Sequence, residues 1–244
     1  MINENAKEMK DRNTLRRFQV VVASDEEGGI GRECELPWKL SKEMKYFKDL
    51  TNGVQKPQQR NCVVMGRKTW ESIPEKFRPL PGRLNVVLSQ SGKVKEYSKE
   101  DAADAAQALP EGVLVRKSME DALETLSRGE YKDGIAKVFV IGGAEVYKEA
   151  LKSEYCEAVH LTEVKPPRGN DAKTYFKCDA FIKLPLDQEK FQLYSSSKEI
   201  RDGECSFTKL TYVAQSGPAG KFRVDAEKVL PPIILNEQKH EEMQ

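Results

Sequence analysis

Asn61-Cys-Val-Val-Met-Gly-Arg-Lys-Thr-Trp70 is the stretch on which the fold turns. Asn61 to Met65 is a short apolar run, the composition of a strand buried on both faces, and Gly66 follows at once with a helix start behind it. A strand that runs through glycine into a helix is the repeating unit of a parallel α/β sheet. Gly66, Arg67, Lys68 and Thr69 also set two cations and a hydroxyl at a helix N-terminus, which suits an anion. A basic surface turn accounts for the same residues equally well. The unit recurs at Lys137-Val-Phe-Val-Ile141, where Gly142-Gly143 leads into a helical pattern from Ala144 to Leu151.

Working outward, Phe18 to Ser24, Leu84 to Ser89, Val113 to Val115 and Ala158 to Val164 read as further strands, and Ser118-Met-Glu-Asp121 as a capping box opening a helix to about Ser127. Phe191 to Ile200 and Ser206 to Val213 are strand-like runs around Asp202-Gly203, a hairpin signal. Together these predict an α/β fold: a mixed, mostly parallel sheet with helices on both faces and an antiparallel C-terminal hairpin. Residues 90–112 read as a surface excursion, residues 1–17 as an N-terminal extension, and the chain from Gln215 on as a linker.

Between the first two strands lies Leu36-Pro-Trp-Lys-Leu-Ser-Lys-Glu-Met-Lys-Tyr-Phe47. Leu40, Phe47 and Leu50 share one helical face, and Glu43 falls on that face too. An inward carboxylate needs a partner or a raised pKa. It is either a member of an internal ion pair, a first-turn carboxylate behind a Ser41 N-cap, or a functional acid. Gly29-Ile30-Gly31 follows a strand but lacks the third glycine of a dinucleotide fingerprint, since Cys34 holds that place. The chain then meets Pro37 instead of a helix, so an ordinary Rossmann unit is rejected.

The 244 residues suit one large domain with tails, and 39% hydrophobic content supports a core. A formal net charge of +1 offers no basic field for nucleic acid. No apolar run is long enough to span a bilayer, and the polar N-terminus resembles neither a signal nor a transit peptide, so a cytoplasmic location is expected. The five cysteines contain no C-x-x-C pair, which argues for a reducing compartment and against a structural metal site. His160 and His240 are the only histidines. They are far apart, and His160 sits in an apolar strand, so a histidine-based triad is disfavoured.

Taken in order, Gly29-Ile-Gly31, Leu36-Pro-Trp38, Glu43, Met65-Gly-Arg-Lys-Thr-Trp70, Ser72-Ile-Pro74, Arg78-Pro-Leu80, Gly82-Arg83 and Ile141-Gly-Gly143 strongly resemble the dihydrofolate reductase family over 18–214. Leu230-Pro-Pro together with Gln238 to Gln244 is similar to the opening of a thymidylate synthase domain. The pair implies the reductase part of a bifunctional enzyme, with residues 215–244 as linker and synthase start and a fused thymidylate synthase domain as partner.

The resemblance implies NADPH-dependent reduction of 7,8-dihydrofolate, with antifolates as competing ligands. It assigns Glu43 as the acid that pairs with the pterin, Thr162 as the hydroxyl linked to it, and Trp38, Leu36 and Ile30 to a mobile loop over the nicotinamide. Val21, Val22, Ala23 and Ile141 become wall positions, with Gly31 on the cofactor side and Tyr147 on the substrate side. Met44, Phe47, Ile73 and Leu80 become the benzoyl slot, and Arg83 the clamp for a glutamate carboxylate. Gly66, Arg67, Lys68 and Thr69 form one cofactor seat, and Gly142, Gly143, Ala144, Glu145 and Val146 the other, the two glycines joined by a cis bond. Arg67, Ser89 and Lys117 would hold the 2′-phosphate. Gln90 stands where relatives carry a basic residue.

Overall fold

The structure is a computed structural model that describes residues 15–54, 56–94, 109–216, 224–231 and 233–234. Most of the 90–112 excursion, the first fourteen residues and the stretch 235–244 lie outside the described residues.

Strands β1 (Phe18–Asp25), β3 (Arg60–Gly66), β4 (Arg83–Leu88), β5 (Val113–Arg116), β6 (Ile135–Val140) and β7 (Cys156–Lys165) run parallel. β11 (Cys205–Ala214) joins β7 antiparallel, and β9 (Phe191–Ser196) and β10 (Ile200–Asp202) both pair with β11. The spatial order is β10-β11-β7-β1-β6-β3-β4-β5. Helices α1 (Ser41–Asn52) and α2 (Arg67–Ser72) lie on crossovers that step from β1 toward β5. Helices α3 (Met119–Leu126), α4 (Gly129–Gly134) and α5 (Ala144–Lys152) lie on crossovers that step back. Because such crossovers are right-handed, opposite steps put the two groups on opposite faces.

The parallel strands are apolar along both faces: Val63, Val64, Met65, Val86, Val87, Phe139 and Val140 are buried, with Trp70 of α2 beside them. The loop expected after β1 contains a short strand, β2 (Gly29–Gly31), paired with β8 (Ala180–Phe181). Asp25 organises that turn, its Oδ1 accepting from the N–H groups of Glu27 and Gly29. Helix α6 (Ala172–Phe176) stands in the loop before β8.

The run Phe191 to Ile200 is two strands rather than one. Ser197 interrupts it by accepting the Lys209 N–H on its Oγ, at 3.0 Å, and donating its own N–H to the Lys209 carbonyl. Gly203 turns the β10–β11 hairpin with φ +67°. Ser118 caps α3 as read, accepting the Asp121 N–H at 3.1 Å.

Both ends of the described chain are tied down. Arg16 donates to the carbonyls of Leu126, Tyr131, Lys132 and Ile135. Val224, Leu230 and Ile234, around helix α7 (Ala226–Val229), pack into the main core. Among the described residues no helix is long and apolar enough to cross a membrane.

Candidate active site

The candidate site lies at the carboxyl ends of β1, β3 and β6, where the chain leaves the sheet toward opposite faces, the usual place for ligands in such sheets. Helix α1 flanks it. Glu43 is 5% exposed, and Leu40 and Leu50 are buried on the same helical side. Ser41 is not the cap: the N-cap position is Leu40, which offers no side-chain acceptor, and the Lys42 N–H donates instead to Asp202 Oδ2 at 2.6 Å. Among the described residues the Glu43 carboxyl has no hydrogen bond or ion pair. Burial, and then the nearby charge of Asp202, push its pKa up to about 7. The ion-pair reading of Glu43 therefore fails.

At the other end of α1 lies Arg83, also 5% exposed. Its Nη1 donates to Thr51 Oγ1 at 2.7 Å and its Nε to the Pro81 carbonyl at 3.2 Å. Its guanidinium carbon lies 5.8 Å from the Phe47 ring centroid, and burial pulls its pKa down to about 10. No carboxylate pairs with it among the described residues. Eight positions of helix separate Glu43 from Thr51, about 12 Å along the axis. Phe47, on the helix between them, is half-buried, as are Ile73 and Leu80, which pack on the same core, whereas Met44 is 49% exposed. Asn85 holds Leu80 by both its N–H and its carbonyl, at 2.9 and 3.0 Å.

Two glycine turns meet across the sheet. The Gly66 N–H donates to the Gly142 carbonyl at 2.7 Å, and Gly142–Gly143 is cis. Gly142 has φ +110°, and a Cβ there would lie 2.9 Å from the Tyr147 ring. A Cβ on Gly143 would lie 3.2 Å from Thr69 Oγ1, and one on Gly66 3.2 Å from Val146 Cγ2. Gly142 therefore admits no side chain, and Gly66 and Gly143 admit one only if Val146 and Thr69 give way, so backbone meets backbone between the turns. Tyr147 donates its hydroxyl to the Val21 carbonyl at 2.8 Å, and burial, then Glu43, push its pKa upward, so it stays neutral.

Arg67 and Lys68 are exposed beside the first turn, with Ala144 and Glu145 opening α5 at the second. Arg67 pairs with Glu71 at 2.8 Å, a surface ion pair that a phosphate can displace at little cost. Ser89 is buried and donates its hydroxyl to the Lys93 carbonyl at 2.6 Å, keeping acceptor capacity only. Lys117 is exposed at the end of β5.

On the loop side, Trp38 is buried against Phe176, ring centroids 5.2 Å apart, while Leu36 is 48% exposed and Ile30 is half-buried. Trp38 Nε1 is a buried donor with no acceptor among the described residues. Gly31 lies in β2, and Val22, Ala23 and Thr162 line β1 and β7, with Ala23 opposite Thr162 in register. Thr162 makes no hydrogen bond to Glu43. Ile141 is bound by its N–H to the Val64 carbonyl at 2.9 Å.

The structure thus brings Glu43, Tyr147, Val21 and Gly142 into one cluster, and Arg83 and Phe47 into a second along α1. Three contributors were missed from sequence: Thr51, Asn85 and Asp202. Asn85 was findable as a polar residue inside an apolar strand. Asp202 carries no local signal, because its partner lies 160 positions away.

With this geometry in view, comparison with known proteins places the chain. A family model described as dihydrofolate reductase matches residues 17–214. The chain is 39% identical over 245 residues to a bifunctional dihydrofolate reductase-thymidylate synthase of Daucus carota, covering 93% of this chain and 42% of that protein. A relative of the same description in Arabidopsis thaliana is 41% identical, covering 92% and 38%. A dihydrofolate reductase of Aedes albopictus is 37% identical over 186 residues, covering 76% of this chain and 88% of that protein. The chain belongs to the dihydrofolate reductase family, and it spans about two fifths of the length of the bifunctional relatives it matches.

Proposed function

We propose that this chain reduces 7,8-dihydrofolate to tetrahydrofolate with NADPH, as the reductase portion of a bifunctional reductase–synthase. The observation that carries the reading is one helix with an unpaired buried acid at its start, an unpaired buried guanidinium at its end and an apolar strip between. A ligand with a flat donor-bearing head, an aromatic middle and an anionic tail satisfies all three. The Glu43 carboxyl accepts from the pterin 2-amino group and N3–H side by side, which fixes the ring and offsets a charge that is otherwise uncompensated. The Arg83 fork takes a planar carboxylate of the glutamate tail. Trp38 closes the cleft against water, and its unpaired indole N–H needs an acceptor that the ligand or a water supplies.

The cofactor seat suits NADPH in its donor set and in its close backbone approach. Gly66 to Thr69 and Gly142 to Val146 would hold the diphosphate, while Arg67 and Lys117 would hold the 2′-phosphate, joined by Ser89 once its hydroxyl turns from the Lys93 carbonyl to the phosphate. Bound NADPH supplies the hydride. With its pKa at about 7, Glu43 is about half protonated at neutral pH before the pterin arrives; ionised, it orients the ring while water carries the proton to N5. Fusion to a synthase is supported by the names of the bifunctional relatives and by the final residues; a transcript with a stop codon after Gln244 would remove it.

Mixing the protein with NADPH and dihydrofolate tests the activity. Loss of the nicotinamide absorbance is expected, and its absence with folded protein would leave a binding module instead. Arg67→Ala should raise the KM for NADPH far more than that for NADH, and equal effects would clear Arg67 of phosphate reading.

A further inference from the structure

The β10–β11 hairpin reaches across to the first turn of α1. Lys42 donates its N–H to Asp202 Oδ2 at 2.6 Å and its Nζ to the Arg201 carbonyl at 2.7 Å. The helix start, which has no cap of its own, is capped from another element. The same hairpin closes a small second core in which Cys205, Phe207 and Ile200 pack with Trp38, Leu40 and Phe176. Glu43 follows Lys42 directly, so the turn that aims it is held on the loop side by this core and at the Lys42 N–H by Asp202.

We propose that Asp202 is a positioning residue for Glu43: its carboxylate fixes the first turn of α1 and thereby the direction of the acid into the cleft. The proposal rests on the reductase reading above. The titratable groups around Glu43 are the Tyr147 hydroxyl from α5 and Asp202 from the hairpin, with Lys42 preceding Glu43 on α1; Lys209 of β11 sits over Tyr46, three positions along the helix, its Nζ 4.8 Å from the ring centroid. Asp202 is the anion that acts on Glu43 among them.

Asp202→Asn keeps an acceptor oxygen for the Lys42 N–H and drops the charge; Asp202→Ala drops both. The two are compared with wild type by the KM for dihydrofolate and by the side-chain carboxyl ¹³C shift of Glu43 followed against pH, assigned through its loss in Glu43→Gln. In both variants the Glu43 midpoint falls by a few tenths of a pH unit, since a like charge is removed. The KM stays within about 2-fold for Asn and rises about 5- to 10-fold for Ala, the range of a lost cap. A lowered melting temperature with midpoint and KM unmoved would make Asp202 a structural brace only and overturn the proposal, as would equal KM values for Asn and Ala. The titration needs no turnover. An inactive wild type would therefore sink the reductase reading, whereas an unmoved Glu43 midpoint would overturn the role of Asp202, so the two failures are distinguishable.

Discussion

Where β1, β6 and β7 begin, Glu157 sits largely buried with a donor and two cations at hand: it accepts from Gln19 Nε2 at 3.0 Å and lies near Lys137 and Arg17. Gln19 and Lys137 both donate to the Val229 carbonyl, and Gln19 Oε1 accepts from His160 Nε2 at 2.8 Å. Because the Gln19 amide is already donating, His160 must carry its proton on Nε2, and burial holds its pKa down to about 3. Arg16, two residues before β1, is held by four carbonyls. Across the sheet and along α1, Glu43 has no partner and Arg83 only neutral ones. Both glutamates have pKa values raised chiefly by burial. What separates them is the company each keeps: Glu157 has a donor and two cations that lower its pKa, and Glu43 has only another anion. A buried charge whose shell is closed by the protein holds the fold, and one left open costs stability until a ligand closes it.

The contrast can be broken most directly through activity. Glu43→Gln should lower turnover by ~10²–10⁴-fold, the usual loss for an acid that acts on the substrate, while NADPH still binds. Stopped-flow NADPH oxidation measures it, and near-normal turnover would erase the distinction between the two carboxylates.

Stability sharpens the comparison next. Folding raises the Glu43 pKa from 4.5 to about 7, so between those values the folded state binds more protons than the unfolded one. The resulting stability is present below pH 4.5 and is lost as pH rises to 7, roughly 3 kcal/mol in all. Glu43→Gln should therefore match wild type in denaturant unfolding at pH 4 and exceed it by roughly 3 kcal/mol at pH 8. A difference independent of pH would contradict an open acid.

Arg83→Leu should raise the KM for dihydrofolate with kcat little changed, by ~10–100-fold if the guanidinium binds a carboxylate worth about 1.5–3 kcal/mol. The smallest effect belongs to the closed end. Glu157→Gln keeps the acceptor for Gln19 and should leave turnover unchanged, with stability altered by about 1 kcal/mol or less.

Much of this arrangement was legible beforehand, and the pattern of what was not is physical. The apolar runs ending at Gly66 and Gly142 were readable because burial on both faces and glycine at a close approach are local requirements. Glu43 stood out as a charge on an apolar helical face. The strand at Gly29–Gly31, the break at Ser197 and the cap from Asp202 were not readable. Each depends on a partner supplied by a distant segment: β8, Lys209 and the Lys42 N–H. Ser41 looked like a cap for the same reason, since local preference cannot see a competing carboxylate from the hairpin. Closed and open carboxylates also look alike in sequence, because Glu157 differs from Glu43 only through Gln19, Lys137 and the folded-back Val229.

A crystal structure with NADPH and folate bound tests the central claim most directly. The account predicts the pterin amino group and N3 on the Glu43 carboxyl, the tail carboxylate on Arg83 and the diphosphate between Gly66 and Gly142. A pterin bound elsewhere, with Glu43 still unpaired, would contradict it.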